Sequence, residues 1–401
     1  MDAFSGVIFF FLFVLNFSAA DVKYPVILVP GDGGSQLEAK LDKPSVVHYV
    51  CDKTTKDYFS LWLNLELFVP VVIDCLIDNM RLVYNNQTHT TSNAPGVDIR
   101  VVGFGNCSSV EWIDPSKASA GSYYAAIATM LFNLGYEGNR TLRGAPYDFR
   151  KGPNEHSEYF KNLKLLVEDT YAVNGNKPVV LLVHSLGALM TLTMLNQQTQ
   201  SWKDKHIRAM ISLAGAWGGS AKAVKVYAIG DDLGVFVLSG KTLRTEQISN
   251  PSLAFLMPSP HLWKSDEVLV ETDTKNYSLS NIKEFFDDIN YSVAWDMYQD
   301  VSPFVKNLKP PGVELFCIYG YGTPTVEKLL YLKDKFPTKD PLLVMGDGDG
   351  TVNRRSLQSC TAWSSQQKKP IHEMPISKVN HMSILYSVST LEYVKQIIEA
   401  L

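Results

Sequence analysis

Apolar positions along this chain fall into two alternating patterns. Short, nearly unbroken apolar runs at residues 24–29, 178–183, 207–213, 313–319 and 341–345 read as strands buried on both faces. Helical spacing returns between them: at 122–134 the residues Tyr123, Ile127, Met130, Leu131 and Leu134 share one face, and similar spacing recurs at 158–171, 188–196 and, as an amphipathic terminal stretch, 383–401. Residues 370–374 are also strand-like. This alternation predicts an α/β architecture with a mostly parallel central sheet covered on both sides, because parallel strands need crossover connections that lay helices over the sheet. Two stretches break the alternation, 51–75 and 217–311, and both are too long to be simple connections. They are expected to be insertions above the sheet, where such folds keep substrate-binding parts, within one domain running from 21 to 401.

Residues 1–20 follow a different logic. An apolar run at 7–15 precedes Ser18, Ala19 and Ala20, a small-residue cleavage site, so they are expected to be a signal peptide with the mature chain beginning near Asp21, although Asp2 stands where Lys or Arg is usual. Sequons at Asn86, Asn106, Asn139, Asn276 and Asn290 and the placement of the cysteines agree with a lumenal or extracellular setting. Sequence does not fix disulfide connectivity; the expected pairs are Cys51 with Cys75 and Cys317 with Cys360, leaving Cys107 over. The charge balance, 37 − 41 = −4, comes with no basic block, which excludes a nucleic-acid partner. No C-x-x-C occurs, so a structural zinc site is not expected.

The candidate chemistry starts at Pro178-Val-Val-Leu-Leu-Val-His-Ser185-Leu-Gly187-Ala. A strand, then x-Ser-x-Gly, then a helix is the setting of a nucleophile elbow, in which the serine sits on a sharp turn and glycine lets the helix pass close to the strand. Val183 occupies a position usually held by a small residue, and its β-branched side chain predicts a strained or slightly opened turn. A serine nucleophile needs a base oriented by an acid. Of the eight histidines, His184 adjoins Ser185 and is expected to point elsewhere, His372 lies in a strand-like run, and His381 sits in a loop before the final helix, the better place for a mobile imidazole. Met345-Gly-Asp347-Gly-Asp349-Gly-Thr351-Val352-Asn353 offers two acids, of which Asp349 lies deeper in the turn and Asp347 is the substitute. An EF-hand fails there, since its glycine and closing glutamate positions hold Val352 and Gln358. Backbone N–H groups of Asp32, in Pro30-Gly31-Asp32-Gly33-Gly34, and of Leu186 are the expected oxyanion donors. As a dinucleotide fingerprint the same loop fails, with Gln36 where the third glycine belongs. The apolar stretch 58–73 is either a buried core segment or a membrane-contact surface carrying Leu61, Trp62, Leu63 and Phe68; its place outside the sheet favours the membrane.

Taken together, the segments VPGDGGSQLEAKLDKPSVVHY, LWLNLELFVPVVIDC, VYNNQT, DPSKASAGSYY, RGAPYDFR, HSLG, WKDKHIRA and GDGDGTVN resemble the family of lysosomal phospholipase A2 (group XV) and lecithin-cholesterol acyltransferase, from about residue 24 to 401. That resemblance implies an α/β-hydrolase fold with Ser185 as nucleophile, Asp349 as triad acid, His381 as base, and Asp32 and Leu186 at the oxyanion hole. It also implies phospholipase A activity with acyl transfer to lipophilic alcohols such as ceramide, without calcium or any other cofactor, at a phospholipid membrane surface in the lysosome lumen or outside the cell. Val183, Leu186 and Ala188 stand where the family has Ala, Met and Asn, and Ala214-Gly-Ala-Trp217 replaces Gly-Ala-Pro-Trp, changes that bear on acyl-chain preference and on the balance of hydrolysis and transfer. Two other functions fit the same residues: a neutral lipase or esterase, and a lipid-binding protein without catalysis.

Overall fold

The computed structural model describes residues 24–233, 239–306 and 308–401. The leader expected at 1–20 lies outside them.

Six parallel strands form the central sheet, in the order Ile371–Ser377, Leu315–Tyr321, Ile207–Leu213, Val179–His184, Val26–Val29, Leu142–Gly144. Their side chains alternate between two cores. Ile27, Val29, Leu181, Val183 and Met210 face one; Val26, Leu28, Val180, Leu182, Ile211 and Leu213 face the other. Burial on both faces is what made these strands read as continuous apolar runs. The strand Leu142–Gly144 is too short to leave such a mark. Helices Ala125–Asn133 and Val388–Ala400 supply apolar residues to one core, and Ser157–Val173 to the other. The helix after the elbow, Leu186–Asn196, is buried from Leu186 through Leu195, so it shows no polar face.

One expected strand is misplaced. The run at 341–345 becomes Leu342–Gly348, which pairs antiparallel with Thr323–Leu330 in a separate four-stranded sheet. Leu342, Leu343, Val344 and Met345 remain 54, 39, 38 and 47% exposed, which a central parallel strand would not allow. An apolar run alone does not distinguish the two settings.

The stretch 217–311 folds into helices such as Ala221–Ile229, Gly240–Gln247 and Val293–Lys306 with two short strands. Its Trp263, Phe285, Phe286 and Met297 join the core that also holds Ile27 and Val183. In the stretch 51–75, the strand Phe59–Trp62 pairs with Leu37–Leu41 and a short 3-10 helix, Leu65–Phe68, leads to the helix Val72–Met80. Cys51 is bonded to Cys75 and Cys317 to Cys360, while Cys107 is a buried free thiol. Asn86, Asn139, Asn276 and Asn290 are exposed; Asn106 is half-buried, its side-chain oxygen accepting from the Ser108 N–H at 2.9 Å. Among the described residues no helix is long and apolar enough to cross a membrane.

Candidate active site

The strand Val179–His184 ends in a tight turn at Ser185, whose φ of 53° and ψ of −122° are a conformation a non-glycine residue adopts only under constraint, at a cost of about 1–3 kcal/mol. Two backbone bonds hold the turn: the Ser185 N–H donates to the Leu213 carbonyl at 3.0 Å and the Ala188 N–H to the Ser185 carbonyl at 3.0 Å. A Cβ on Gly187 would stand 2.2 Å from the Pro30 carbonyl oxygen, so only glycine lets the helix pass this close to the first loop. Val183 does not open the turn. It stays in register with Val29 and Ser212 and is wholly buried, pointing its branched side chain into the core rather than at the serine.

Ser185, His381 and Asp349, nearly 200 residues apart at the extremes, form one hydrogen-bonded chain. His381 Nε2 lies 2.9 Å from Ser185 Oγ, and His381 Nδ1 lies 2.7 Å from Asp349 Oδ2. The second carboxylate oxygen of Asp349 accepts from the N–H groups of Thr351 and Val352 at 3.0 and 2.7 Å, and the His381 N–H donates to the Asp349 carbonyl at 2.8 Å. Acid and base are therefore fixed through both side chain and backbone. With Asp349 accepting from backbone N–H groups on one oxygen and facing the imidazole with the other, Nδ1 of His381 carries the proton and Nε2 is left to accept from the serine. Asp347 is turned away, accepting from the Gly322 N–H at 2.7 Å and pairing with Arg354 at 2.9 Å. His372 is also excluded, since it lies in the edge strand and pairs with Glu314.

The loop at 30–34 rises beside the elbow. Gly34 N–H donates to the Gly31 carbonyl at 3.1 Å, and Trp62 Nε1–H donates to the Gly33 carbonyl at 2.8 Å. The Asp32 side chain is exposed, yet the protein packed around it desolvates the carboxyl and pushes it up to about 6, against the opposing pull of the Gly33 N–H, His381 and Lys222. Leu186 opens its helix immediately after the serine, so the N–H groups of Leu186 and Asp32 belong to the two backbone segments that flank Ser185.

Of the four residues expected at a membrane surface, two lie in the core and two are half-buried. Leu61 is completely buried and Leu63 is 7% exposed, both in the core. Trp62 is half-buried, its indole spent on the Gly33 carbonyl and its ring packed near Phe68 and Phe149. Phe68 is half-buried beneath the helix Val72–Met80. The apolar side chains that do face solvent here are Leu65, Val69 and Val71, with Val47, Tyr49 and Val50 on the other side of the Cys51–Cys75 bond.

His184, set aside in the sequence, is placed against the site: its ring lies 4.9 Å from that of His381. Burial, with His381 adding to it, holds the imidazole well below its ordinary range, so it stays neutral. The one signal for it was a polar residue ending an otherwise wholly apolar strand. Among the described residues no group of His, Cys, Asp and Glu is arranged to hold a metal ion.

A family model described as Lecithin:cholesterol acyltransferase matches residues 58–388. The chain is 46% identical to the Homo sapiens lysosomal phospholipase A and acyltransferase over 374 residues, 93% of this chain and 90% of that protein. It is 43% identical to the Mus musculus phosphatidylcholine-sterol acyltransferase over 375 residues, 93% of this chain and 85% of that protein. A chain in the crystal structure of the Tle4-Tli4 complex aligns with a TM-score of 0.55 at 10% identity, covering 94% of this chain and 98% of that chain, a likeness of fold alone.

Proposed function

Because the chain belongs to the lecithin:cholesterol acyltransferase family, we propose that it is a serine phospholipase A and lipid O-acyltransferase of the α/β-hydrolase fold. The observation that carries the reading is the unbroken Ser185–His381–Asp349 chain at a strained elbow. Ser185 Oγ attacks an ester carbonyl of a glycerophospholipid while His381 Nε2 takes the hydroxyl proton. The N–H groups of Leu186 and Asp32 stabilise the oxyanion. When the tetrahedral state collapses, the carbon–oxygen bond to the lysophospholipid breaks and His381 returns the proton to the leaving alkoxide, leaving an acyl-serine. Water, or a lipophilic alcohol such as ceramide, then attacks the acyl-serine with His381 again as base, which makes hydrolysis and transfer two fates of one intermediate. No cofactor enters this sequence.

The exposed apolar residues Leu65, Val69 and Val71 form the membrane-contact part of the insertion at 51–75, and the segment at 217–311 acts as a cap over the site. The lysosomal phospholipase A and acyltransferase relatives support a lysosomal setting. Purified protein on phosphatidylcholine liposomes should release fatty acid, and adding ceramide should divert acyl chains to it. Ser185→Ala should abolish both products and all labelling by a fluorophosphonate probe. Retained activity in that variant removes the serine mechanism; triglyceride cleavage without phospholipid cleavage points to a neutral lipase, and a wild-type protein with neither probe labelling nor ester cleavage to a lipid-binding protein.

A further inference from the structure

Tyr123 and His184 make a buried hydrogen-bonded bridge beside the triad that the steps above do not use. The Gly31 N–H donates to Tyr123 Oη at 2.8 Å; Tyr123 Oη lies 2.6 Å from His184 Nδ1; and His184 Nε2 lies 3.1 Å from the carbonyl oxygen of His381. The direction of each bond follows from the partners. A carbonyl only accepts, so His184 Nε2 carries the proton; the neutral ring then has Nδ1 free to accept, and Tyr123 donates to it while receiving from Gly31. Burial pushes the Tyr123 hydroxyl well up and the His184 imidazole well down, so both keep the protonation this pattern needs. Tyr123 and His184 are only 2 and 1% exposed, so both bonds are shielded from bulk solvent.

We propose that Tyr123 and His184 are positioning residues that lock the oxyanion loop to the loop carrying His381, so that the Asp32 N–H and the His381 imidazole keep one separation while Ser185 passes through its tetrahedral states. Gly31 directly precedes Asp32, and the carbonyl at the other end belongs to the base itself. The bridge thus joins two backbone segments 350 residues apart, counting from 31 to 381. The packing is built for the tyrosine: a Cβ on Gly34 would stand 2.6 Å from its ring, and one on Gly31 would stand 3.1 Å from its hydroxyl and 2.8 Å from the Ser185 Cβ. The His184 ring meets that of Tyr123 edge-on at 5.5 Å, which fixes the imidazole plane between the two bonds. Catalytic geometry is sensitive at this scale, since a displacement of about 1 Å can cost about 100-fold in rate.

The inference rests on Ser185 as nucleophile but not on the lipid it acts on, so it is tested with a soluble p-nitrophenyl butyrate ester on the full-length protein. Tyr123→Phe keeps the ring and removes the bridge; kcat should fall about 10- to 100-fold while KM stays within about twofold. His184→Gln places an amide nitrogen near the position of Nε2 and keeps a donor for the His381 carbonyl, whereas His184→Asn reaches only the Tyr123 side. Each variant keeps one bond and severs the bridge, so both should lose kcat about as Tyr123→Phe does. Combining Tyr123→Phe with His184→Gln should cost little more than the larger single loss, because both act through one bridge. A Tyr123→Phe enzyme with wild-type kcat, or losses that multiply in the double variant, overturns the proposal. If Tyr123→Phe does not fold, wild-type kcat in either His184 variant overturns it instead. Ser185→Ala run beside them separates the two readings: activity surviving in Ser185→Ala refutes the nucleophile, while inactive Ser185→Ala with unaffected Tyr123→Phe refutes only the bridge.

Discussion

At the scale of single residues, the two aspartates of the turn at 347–349 differ in what they touch. Asp349 holds His381 at 2.7 Å and is 1% exposed, whereas Asp347 pairs with Arg354 at the surface. Asp349→Asn should therefore lower kcat on a soluble ester by about 10³- to 10⁴-fold, by presenting the imidazole in the wrong tautomer. Asp347→Asn should stay within a few-fold, as a surface ion pair contributes at most about 1 kcal/mol. Equal losses would shift the acid to Asp347. Asp32 governs pH dependence in a different way. Desolvation pushes its carboxyl up to about 6, opposed by the Gly33 N–H, His381 and Lys222. Below that pH it is neutral; as pH rises through 6 it gains a negative charge beside the developing oxyanion, which opposes the transition state. Activity should decline along that limb, and Asp32→Asn, which cannot ionise, should move the alkaline limb to higher pH. An unchanged limb on the same ester would leave Asp32 with only its backbone N–H.

At the scale of elements, the elbow depends on how closely the helix Leu186–Asn196 passes the loop at 30–34. A methyl group on Gly187 meets the Pro30 and Val29 carbonyl oxygens at 2.2 and 2.8 Å, and neither backbone atom can swing aside as a side chain would. Gly187→Ala should destabilise the protein by about 1–3 kcal/mol or more and displace Leu186 from the oxyanion position. Thermal unfolding and kcat measured together check this; wild-type values for both would show that the helix has room to move. The hairpin formed by Thr323–Leu330 and Leu342–Gly348 does comparable service for the acid, because the backbone turn after it supplies the two N–H groups that seat Asp349.

At the scale of the whole molecule, the insertion stapled by Cys51–Cys75 divides its apolar residues between two tasks. Leu61 and Leu63 are core, Trp62 is tied to the loop at 30–34, and Leu65 and Val69 face water at 39 and 49% exposure. Replacing Leu65 and Val69 with serine should weaken liposome binding by about tenfold or more, since each side chain placed in an apolar phase contributes on the order of 1–2 kcal/mol. The soluble ester should be cleaved as before. Liposome sedimentation and ester kinetics on the same preparation test this, and loss of both activities together would mark the segment as structural.

The α/β alternation, the strand–serine–helix elbow and the choice of His381 over His372 were legible in the chain itself, because each is written in local pattern: apolar period, turn chemistry, and a loop position before a terminal helix. The two cysteine pairs could be anticipated from their placement. Other features arose only when distant segments met. An apolar run cannot say whether it will lie in a central parallel sheet or, as Leu342–Gly348 does with Leu342 to Met345 left exposed, at the edge of an antiparallel one, since the burial of each side chain is set by the elements that pack against the strand. Nor does the stretch 58–73 reveal which of its neighbours turn inward, because the contacts that bury Leu61 and Leu63 come from elements far along the chain. The raised carboxyl of Asp32 and the bridge from Gly31 through Tyr123 and His184 to His381 belong to the same class. Each exists only where separate segments are brought within hydrogen-bonding or desolvating distance, and that distance is a property of the fold.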